Sequence, residues 1–530
     1  MADLHSAGHR RGVVCAPHSA AVEAGRAILA EGGNALEAML GMAGTIAAVY
    51  PHMNHLGGDG FWLVREPSGR VRAIMAAGPA GHNATCELYR DYETIPPRGP
   101  LAALTVPGAV GGWILALEAA RAIGGKLPLE VILAPAIAHA RDGYSVSRSQ
   151  ARLTQENFDG LRDVPWFAPT FLAHGKVPPV GALLKQEQLA ETLAHLAHAG
   201  LDDFYRGDVG REIAADLDRL GSPVTRDALT RYSATLAAPL QIALPAGTVY
   251  NTDAPTQGVV SLMILALFDR LGGGGAEGFD HVHCLVEATK RALRVRDRAV
   301  TDPGHLSHAL ERYLDARFIA GEAMKIDRRK AAPWTRAGGA GDTIWMGSAD
   351  ASGLVVSYIQ SLYWEFGSGC VLPRTGVLMQ NRGASFSLEA GALNLLAPGR
   401  LPFHTLNPAL AVLKDGRVMA YGCMGGDGQP QTQSAVFTRY VQFRQPLAEA
   451  IDRPRWLLGR TWGAARTTLR LEPRFAGGVV DELAAAGHDV EVLDEPYSDI
   501  MGHAGAAVLH ANGTCEAAHD PRADGGAAGA

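Results

Sequence analysis

Nothing in this chain reads as a membrane segment, a metal centre, a disulfide framework or a nucleotide-binding loop, and each gap removes a class of function. The longest weakly apolar run, Ala38 to Tyr50, has 13 residues with two glycines and a threonine. A spanning helix needs roughly 20 apolar residues. Met1 to Arg11 has two arginines but no apolar stretch behind them, so it does not read as a secretory signal. The six cysteines (15, 86, 284, 370, 423, 515) are scattered without a Cys-x-x-Cys, which argues against disulfides and zinc and suits a reducing compartment. The net charge of −6 carries no basic excess to attract nucleic acid or anionic lipid. Gly57-Gly58-Asp59-Gly60 precedes a strand rather than a helix, so phosphate-binding loops are excluded. His281-Val282-His283 falls on a helix, where positions i and i+2 face apart, with no carboxylate cluster nearby in sequence. No metal or cofactor is therefore expected, and the protein reads as cytoplasmic, with no nucleic-acid or membrane partner.

What is present is a large soluble chain, 47% hydrophobic and 19% charged, with 63 glycines and 30 prolines suited to many tight turns. Length alone would suggest two to four domains. Ser19 to Leu40 reads as a helix broken near Gly32-Gly33-Asn34. Residues 101 to 145 and 183 to 235 look mainly helical, Leu240 to Asn251 alternates as strands, and Pro255–Leu271 and Asp280–Arg298 read as two helices. Residues 320 to 341 form a polar, Gly/Ala-rich linker. Beyond it come strands near 343–350, 354–361, 376–381, 408–414 and 417–422, helices near 432–451 and 478–487, and strands near 489–493 and 505–510. Hairpins in place of regular βαβ units favour a layered α+β fold.

The linker ends at Gly341-Asp342-Thr343, where Thr343 opens a strand. A threonine freed at a chain terminus can attack with its hydroxyl while its own α-amino group serves as base. The following turn, Asp350-Ala351-Ser352-Gly353, has three loop residues with glycine last, which suits a type I turn with a left-handed bulge. If Asp350 faces Leu354, that register puts Thr343 opposite Ser361, unless the bulge shifts it by one. An ordinary hairpin with a Thr–Ser pair would carry the same residues. Two further segments stand out. Gly425-Gly426 lies between a strand and a helix and can aim two backbone N–H groups at one point, as an oxyanion hole requires. Arg382, in Gln380-Asn381-Arg382-Gly383-Ala384-Ser385, offers a planar fork for a carboxylate.

Taken together, the motifs resemble the γ-glutamyltransferase family of N-terminal nucleophile hydrolases over nearly the whole length. Gly32-Gly33-Asn34-Ala35-Leu36-Glu37-Ala38, Gly57-Gly58-Asp59-Gly60-Phe61, Val106-Pro107-Gly108, Ala140-Arg141-Asp142-Gly143, Phe204-Tyr205-Arg206-Gly207, Phe366-Gly367-Ser368-Gly369, Gly425-Gly426 and Asp520-Pro521-Arg522 follow in family order. The resemblance implies a four-layer αββα sandwich and cleavage between Asp342 and Thr343. It yields a large-subunit segment 1–342 and a small-subunit segment 343–530 of one domain, as a heterodimer or a dimer of heterodimers. It also implies Thr343 as nucleophile, Ser361 as its support and Gly425 with Gly426 as the oxyanion hole.

The departures from the family carry the substrate reading. Where its transferases hold a γ-glutamyl group with Asn, Gln and Asp, this chain has Tyr363, Arg382 and Ser385, and His404-Thr405 replace two serines. An ammonium receptor is lost and a cation gained. With Pro402-Phe403-His404-Thr405-Leu406-Asn407-Pro408 and Gly425-Gly426-Asp427-Gly428-Gln429-Pro430-Gln431, the pattern resembles the oxamate amidohydrolase branch, which releases ammonia from oxamate in purine-ureide breakdown. The reading is a self-cleaving amidohydrolase for a small anionic amide, with Arg382, Asn381, His404, Tyr363 and Ser385 around the substrate. Two alternatives are a γ-glutamyl hydrolase or transferase acting on glutathione-like compounds, and an uncleaved, non-catalytic binder of small anions.

Overall fold

Strand alternation organises the molecule. The computed structural model describes residues 6–335, 341–459 and 467–530, and for Asp342 its backbone alone. Along Asp342–Asp350, Ile344 and Met346 point into a core shared with helices, while Trp345 points the other way, into a second core. Asp59–Arg65 divides likewise: Trp62 and Val64 face the helices, and Phe61 and Leu63 face away. In the other sheet, Met419 and Tyr421 pack on helices while Val418 and Ala420 join Phe61 and Trp345. The period of two thus creates three stacked cores: helices on sheet, sheet on sheet, and sheet on helices. This is the expected α+β sandwich with layers αββα.

Among the described residues each central sheet has seven strands. In one, Asp342–Asp350 lies between Gly12–Ala16 and Val355–Tyr363, and Val355–Tyr363 pairs onward with Asp59–Arg65. In the other, Val418–Cys423 lies between Ala409–Leu413 and Ala504–Leu509. Because both faces are covered, Val355–Tyr363 is buried at every residue, and its apolar and polar residues do not alternate as they would on a strand with one wet face. Among the described residues no helix is long and apolar enough to cross a membrane.

The broken first helix is two helices, Ser19–Ala30 and Ala35–Val49. Asn34 caps the second: its Oδ1 accepts from the N–H groups of Leu36 and Glu37, and Glu37 Oε2 accepts from Asn34 N at 2.9 Å. Such a cap stabilises by about 1 kcal/mol. Asp350 Oδ2 accepts from Ala35 N at 2.8 Å, tying this helix to the end of the Thr343 strand. The Gly-Gly-Asn-Ala motif is therefore structural. Two expectations need correction. Residues 376–381 form no strand; they make single bridges, Gly57 with Met379 and Val371 with Leu378, because Leu378 and Met379 close over the Gly57 turn. The expected linker 320–341 begins inside a helix, Ala316–Ala323, and its Gly338-Gly339-Ala340 approach lies outside the described residues.

Candidate active site

The predicted hairpin is present. Asp350 N donates to Leu354 O at 3.0 Å, and Gly353 takes φ 100°, the left-handed position the turn needs. The predicted register then runs from Ala349 opposite Val355 to Ile344 opposite Gln360. It breaks beyond Ile344: Asp342 pairs with Tyr363. Thr343 thus lies in the irregularity and is not the regular partner of Ser361. A bulge here re-aims one side chain out of the pleat. Tyr363 shares the distortion, with φ 86°.

Ser361 faces a different neighbour. Its Cα partner across the sheet is Asp59. By alternation with Phe61 and Ile359, both Asp59 and Ser361 point between the two sheets. Ser361 Oγ accepts from Tyr363 N at 2.7 Å and from Arg382 Nη2 at 3.3 Å. Both lone pairs are used, which leaves its O–H as the group that can be donated. Gly58 packs so tightly on this strand that a Cβ there would lie 2.3 Å from Ser361 O.

Four segments converge on this end of the inter-sheet layer. Arg382, on the 3-10 turn Arg382–Ser385, is completely buried, with Cζ 4.1 Å from the centre of the Tyr363 ring. Its Nε and Nη1 have no protein hydrogen-bond acceptor among the described residues. His404 is buried edge-on against Phe61, with Nε2 3.4 Å from Asp59 Oδ2. Ser385 Oγ and Thr405 Oγ1 also lack partners among the described residues. Gly425 takes φ 116°, where a side chain would be strained, and begins a short 3-10 turn, Gly426–Gly428, that runs into the helix Gln429–Phe437. The first N–H groups of such a turn have no partner within it and form a positive end. Gly341 approaches the same turn: a Cβ on it would be 3.4 Å from Gly426 Cα, 3.2 Å from Thr405 Oγ1 and 3.5 Å from Tyr363 Cε2. A cavity of about 320 Å³ opens here, lined in part by Tyr363, Ser385, Thr405, Phe403, Arg296 and Asp427.

The gamma-glutamyltranspeptidase family model matches residues 21–530. The chain belongs to the γ-glutamyltranspeptidase family. It is 51% identical over 528 residues to the oxamate amidohydrolase proenzyme of Klebsiella pneumoniae, covering 99% of this chain and 100% of that protein. It is 38% identical to the glutathione hydrolase-like YwrD proenzyme of Bacillus subtilis, covering 98% of each. Its fold superposes on the crystal structure of a cephalosporin acylase from Bacillus halodurans with a TM-score of 0.88 at 31% identity, covering 99% of this chain and 97% of that one. The protein is an enzyme, an amidohydrolase of the N-terminal nucleophile type.

Within this γ-glutamyltranspeptidase scaffold the electrostatics are unusual. Burial pushes the Asp59 carboxyl up to about 7, although Arg382, the Gly78 and Gly108 N–H groups and the Gln380 side chain pull it down. Both of those N–H groups donate to Asp59 Oδ1 at 3.0 Å. Burial, with the nearby Arg382 charge, drives His404 well below its ordinary value, so its imidazole is neutral. Burial lowers Arg382 to about 10, which leaves it cationic at neutral pH.

Three features escaped the sequence reading. Asn381, expected beside the substrate, turns its amide to the scaffold: Oδ1 accepts from Trp364 N at 3.1 Å and Nδ2 donates to Pro97 O at 3.0 Å. It holds the loop that carries Arg382. Asp59, passed over as part of a glycine turn, sits inside the site; its signal was an acid where the family's turn has glycine. The glycine pair is buttressed from below by Gln257, whose Nε2 donates to Gly426 O at 2.9 Å and Thr405 O at 2.6 Å. Arg296 Nη1 in turn donates to Gln257 Oε1 and to Asp427 Oδ1, both at 2.6 Å. His281 and His283 face apart as anticipated: one bonds Thr438 and the other bonds His488 and Asp327 O. His283, Glu287 and His488 are close enough to hold a cation, but Lys290 Nζ already sits 2.7 Å from Glu287 Oε1.

Proposed function

We propose that this protein hydrolyses a small carboxylate-bearing amide, oxamate, to oxalate and ammonia, with Thr343 as its nucleophile. One observation carries the substrate reading. A fully buried guanidinium, hydrogen-bonded to Ser361 beside the Thr343 strand, keeps two of its three nitrogens unpaired among the described residues. A buried cation without partners is costly, and a ligand carboxylate would supply them in the bidentate geometry that Arg favours. The high identity to a named oxamate amidohydrolase supports the same reading.

In the proposed maturation, Thr343 Oγ attacks the Asp342 carbonyl carbon, and hydrolysis of the resulting ester frees a chain 1–342 and a chain 343–530. The nearness of Gly341 to Gly426, Thr405 and Tyr363 supports this, since it brings the peptide to the glycine pair. In turnover the same oxygen attacks the amide carbon of the substrate. The freed α-amino group, ordinarily near pKa 7.7–8.0 (roughly, in peptides), takes the hydroxyl proton and passes it to the departing ammonia. The Gly425 and Gly426 N–H groups hold the oxyanion, roughly 3–4 kcal/mol for each donor in comparable sites. Ser361 donates its remaining proton to the Thr343 oxygen. Arg382 grips the carboxylate with Tyr363 stacked behind it, and His404, Thr405 and Ser385 complete the pocket. Water then cleaves the acyl ester to give oxalate.

The test sets oxamate beside γ-glutamyl amides in an ammonia-release assay, with intact mass measured on the purified protein. The expected result is two chains, the smaller beginning Thr-Ile-Trp-Met, and turnover of oxamate well above glutathione. Preferred turnover of glutathione would replace the substrate reading. A single uncut chain with full activity would remove Thr343 as nucleophile, and an uncut, inactive chain would point to an anion-binding protein.

A further inference from the structure

We propose that, above neutral pH, Asp59 takes up a proton from solvent when an anionic ligand binds Arg382, so that Asp59 tunes anion affinity without touching the scissile bond. The inference rests on the reading of Arg382 as carboxylate receptor. It begins from charge count. Around Asp59 stand one guanidinium, Arg382, and one neutral imidazole, His404, all three fully buried; Arg296, Asp427 and Asp297, which line the same cavity, form an ion-pair cluster of their own. The other titratable groups whose fields reach Asp59 are the phenols of Tyr205, Tyr232 and Tyr358, neutral at any ordinary pH because burial raises each of them. Tyr363, on Arg382, is the remaining phenol of the site. The α-amino group of Thr343 joins them after cleavage.

Empty and above neutral pH, where Asp59 is ionised, the Asp59–Arg382 pair is neutral. A bound carboxylate adds one negative charge beside buried groups, where an uncompensated charge is expensive. Arg382 then serves the ligand, and its help to Asp59 is shared. The Asp59 carboxyl, already pushed up by burial, rises further and accepts a proton. The geometry gives that proton a place. Asp59 Oδ1 is occupied by two backbone N–H donors, while Oδ2 and His404 Nε2, 3.4 Å apart, each make no hydrogen bond among the described residues. Protonated Oδ2 donates to neutral Nε2, and two buried unpaired atoms are satisfied together. The balance is one proton in with the anion and one proton out with its release.

The experiment is calorimetric titration of the mature enzyme with oxalate at pH 8 in two buffers of different ionisation enthalpy. Wild type, Asp59→Asn and Arg382→Ala are compared. The amide oxygen of the Asp59→Asn variant can keep the two N–H bonds made at Oδ1, and the amide cannot titrate. Oxalate uptake is expected to bring about one more proton into wild type than into Asp59→Asn. Its Kd in wild type should rise about tenfold per pH unit above neutrality beyond any slope the variant retains. Equal proton counts and equal slopes overturn the inference. Binding to wild type and its loss in Arg382→Ala test the carboxylate reading separately; no oxalate binding to wild type sinks both. If Asp59→Asn fails to mature, infrared difference spectra of wild type decide: a protonated-carboxyl band must grow on adding oxalate, and its absence refutes the proposal.

Discussion

Arg382→Ala is the sharpest perturbation of the site, because it separates turnover from maturation. In the wild type the guanidinium is buried, stacked 4.1 Å from the Tyr363 ring and bonded to Ser361 at 3.3 Å. Removing a charge-assisted contact to a desolvated carboxylate costs about 2–5 kcal/mol. At about 1.4 kcal/mol per tenfold, kcat/KM for oxamate falls roughly thirty- to several-thousandfold. Maturation loses only the bond to Ser361, about 0.5–1.5 kcal/mol and so at most roughly tenfold in rate. Arg382→Lys keeps charge without the planar fork and falls between wild type and alanine. The assay is steady-state ammonia release from oxamate, alongside the rate of chain cutting followed on denaturing gels. Normal oxamate turnover by Arg382→Ala, or equal losses in turnover and cutting, would refute a carboxylate-binding role.

Three further outcomes follow from the same geometry. Ser361→Ala slows both cutting and turnover while leaving the near-ultraviolet spectrum unchanged; unaltered rates would separate Ser361 from Thr343. Arg296→Met removes the cation from Asp427 and loosens Gln257 under the glycine pair, so kcat falls by on the order of a hundredfold with KM nearly constant; a pure KM effect would contradict this. Asp59 bears on stability with a definite sign. Its folded value near 7 exceeds the ordinary 3.8, so the folded chain holds a proton that the unfolded chain has lost between those values. Stability conferred by that proton is therefore lost as pH rises through the window, by about 1.4 kcal/mol per unit. Relative to wild type, Asp59→Asn should gain Tm from pH 5 to pH 7 when both are compared in the uncut Thr343→Ala background. A constant difference would remove the shift.

Local chemistry accounts for most of what the sequence revealed. The break at Gly32-Gly33-Asn34 is legible because a cap is made from residues three apart. The hairpin register is legible because Gly353 sets the turn, and strand pairing propagates it as far as Ile344. Even the candidate nucleophile, the glycine pair and the cation lie within segments whose motifs are contiguous. What only the tertiary structure decided is which side chains meet, and at what charge. Asp59 and His404 are far apart in sequence, and they meet because Asp59 shares a sheet face with Phe61 while the 402–408 loop packs its imidazole on that ring. The direction of the Asn381 amide was undecided by its type, since either of its ends can serve protein or ligand. The bulge at Thr343 depends on the pairing of Asp342 with Tyr363, at the limit of the regular ladder. Gln257 and Arg296 read as ordinary helix residues until folding seats them beneath Gly426. Local geometry needs only neighbours along the chain, whereas a buried charge takes its protonation from every element packed around it.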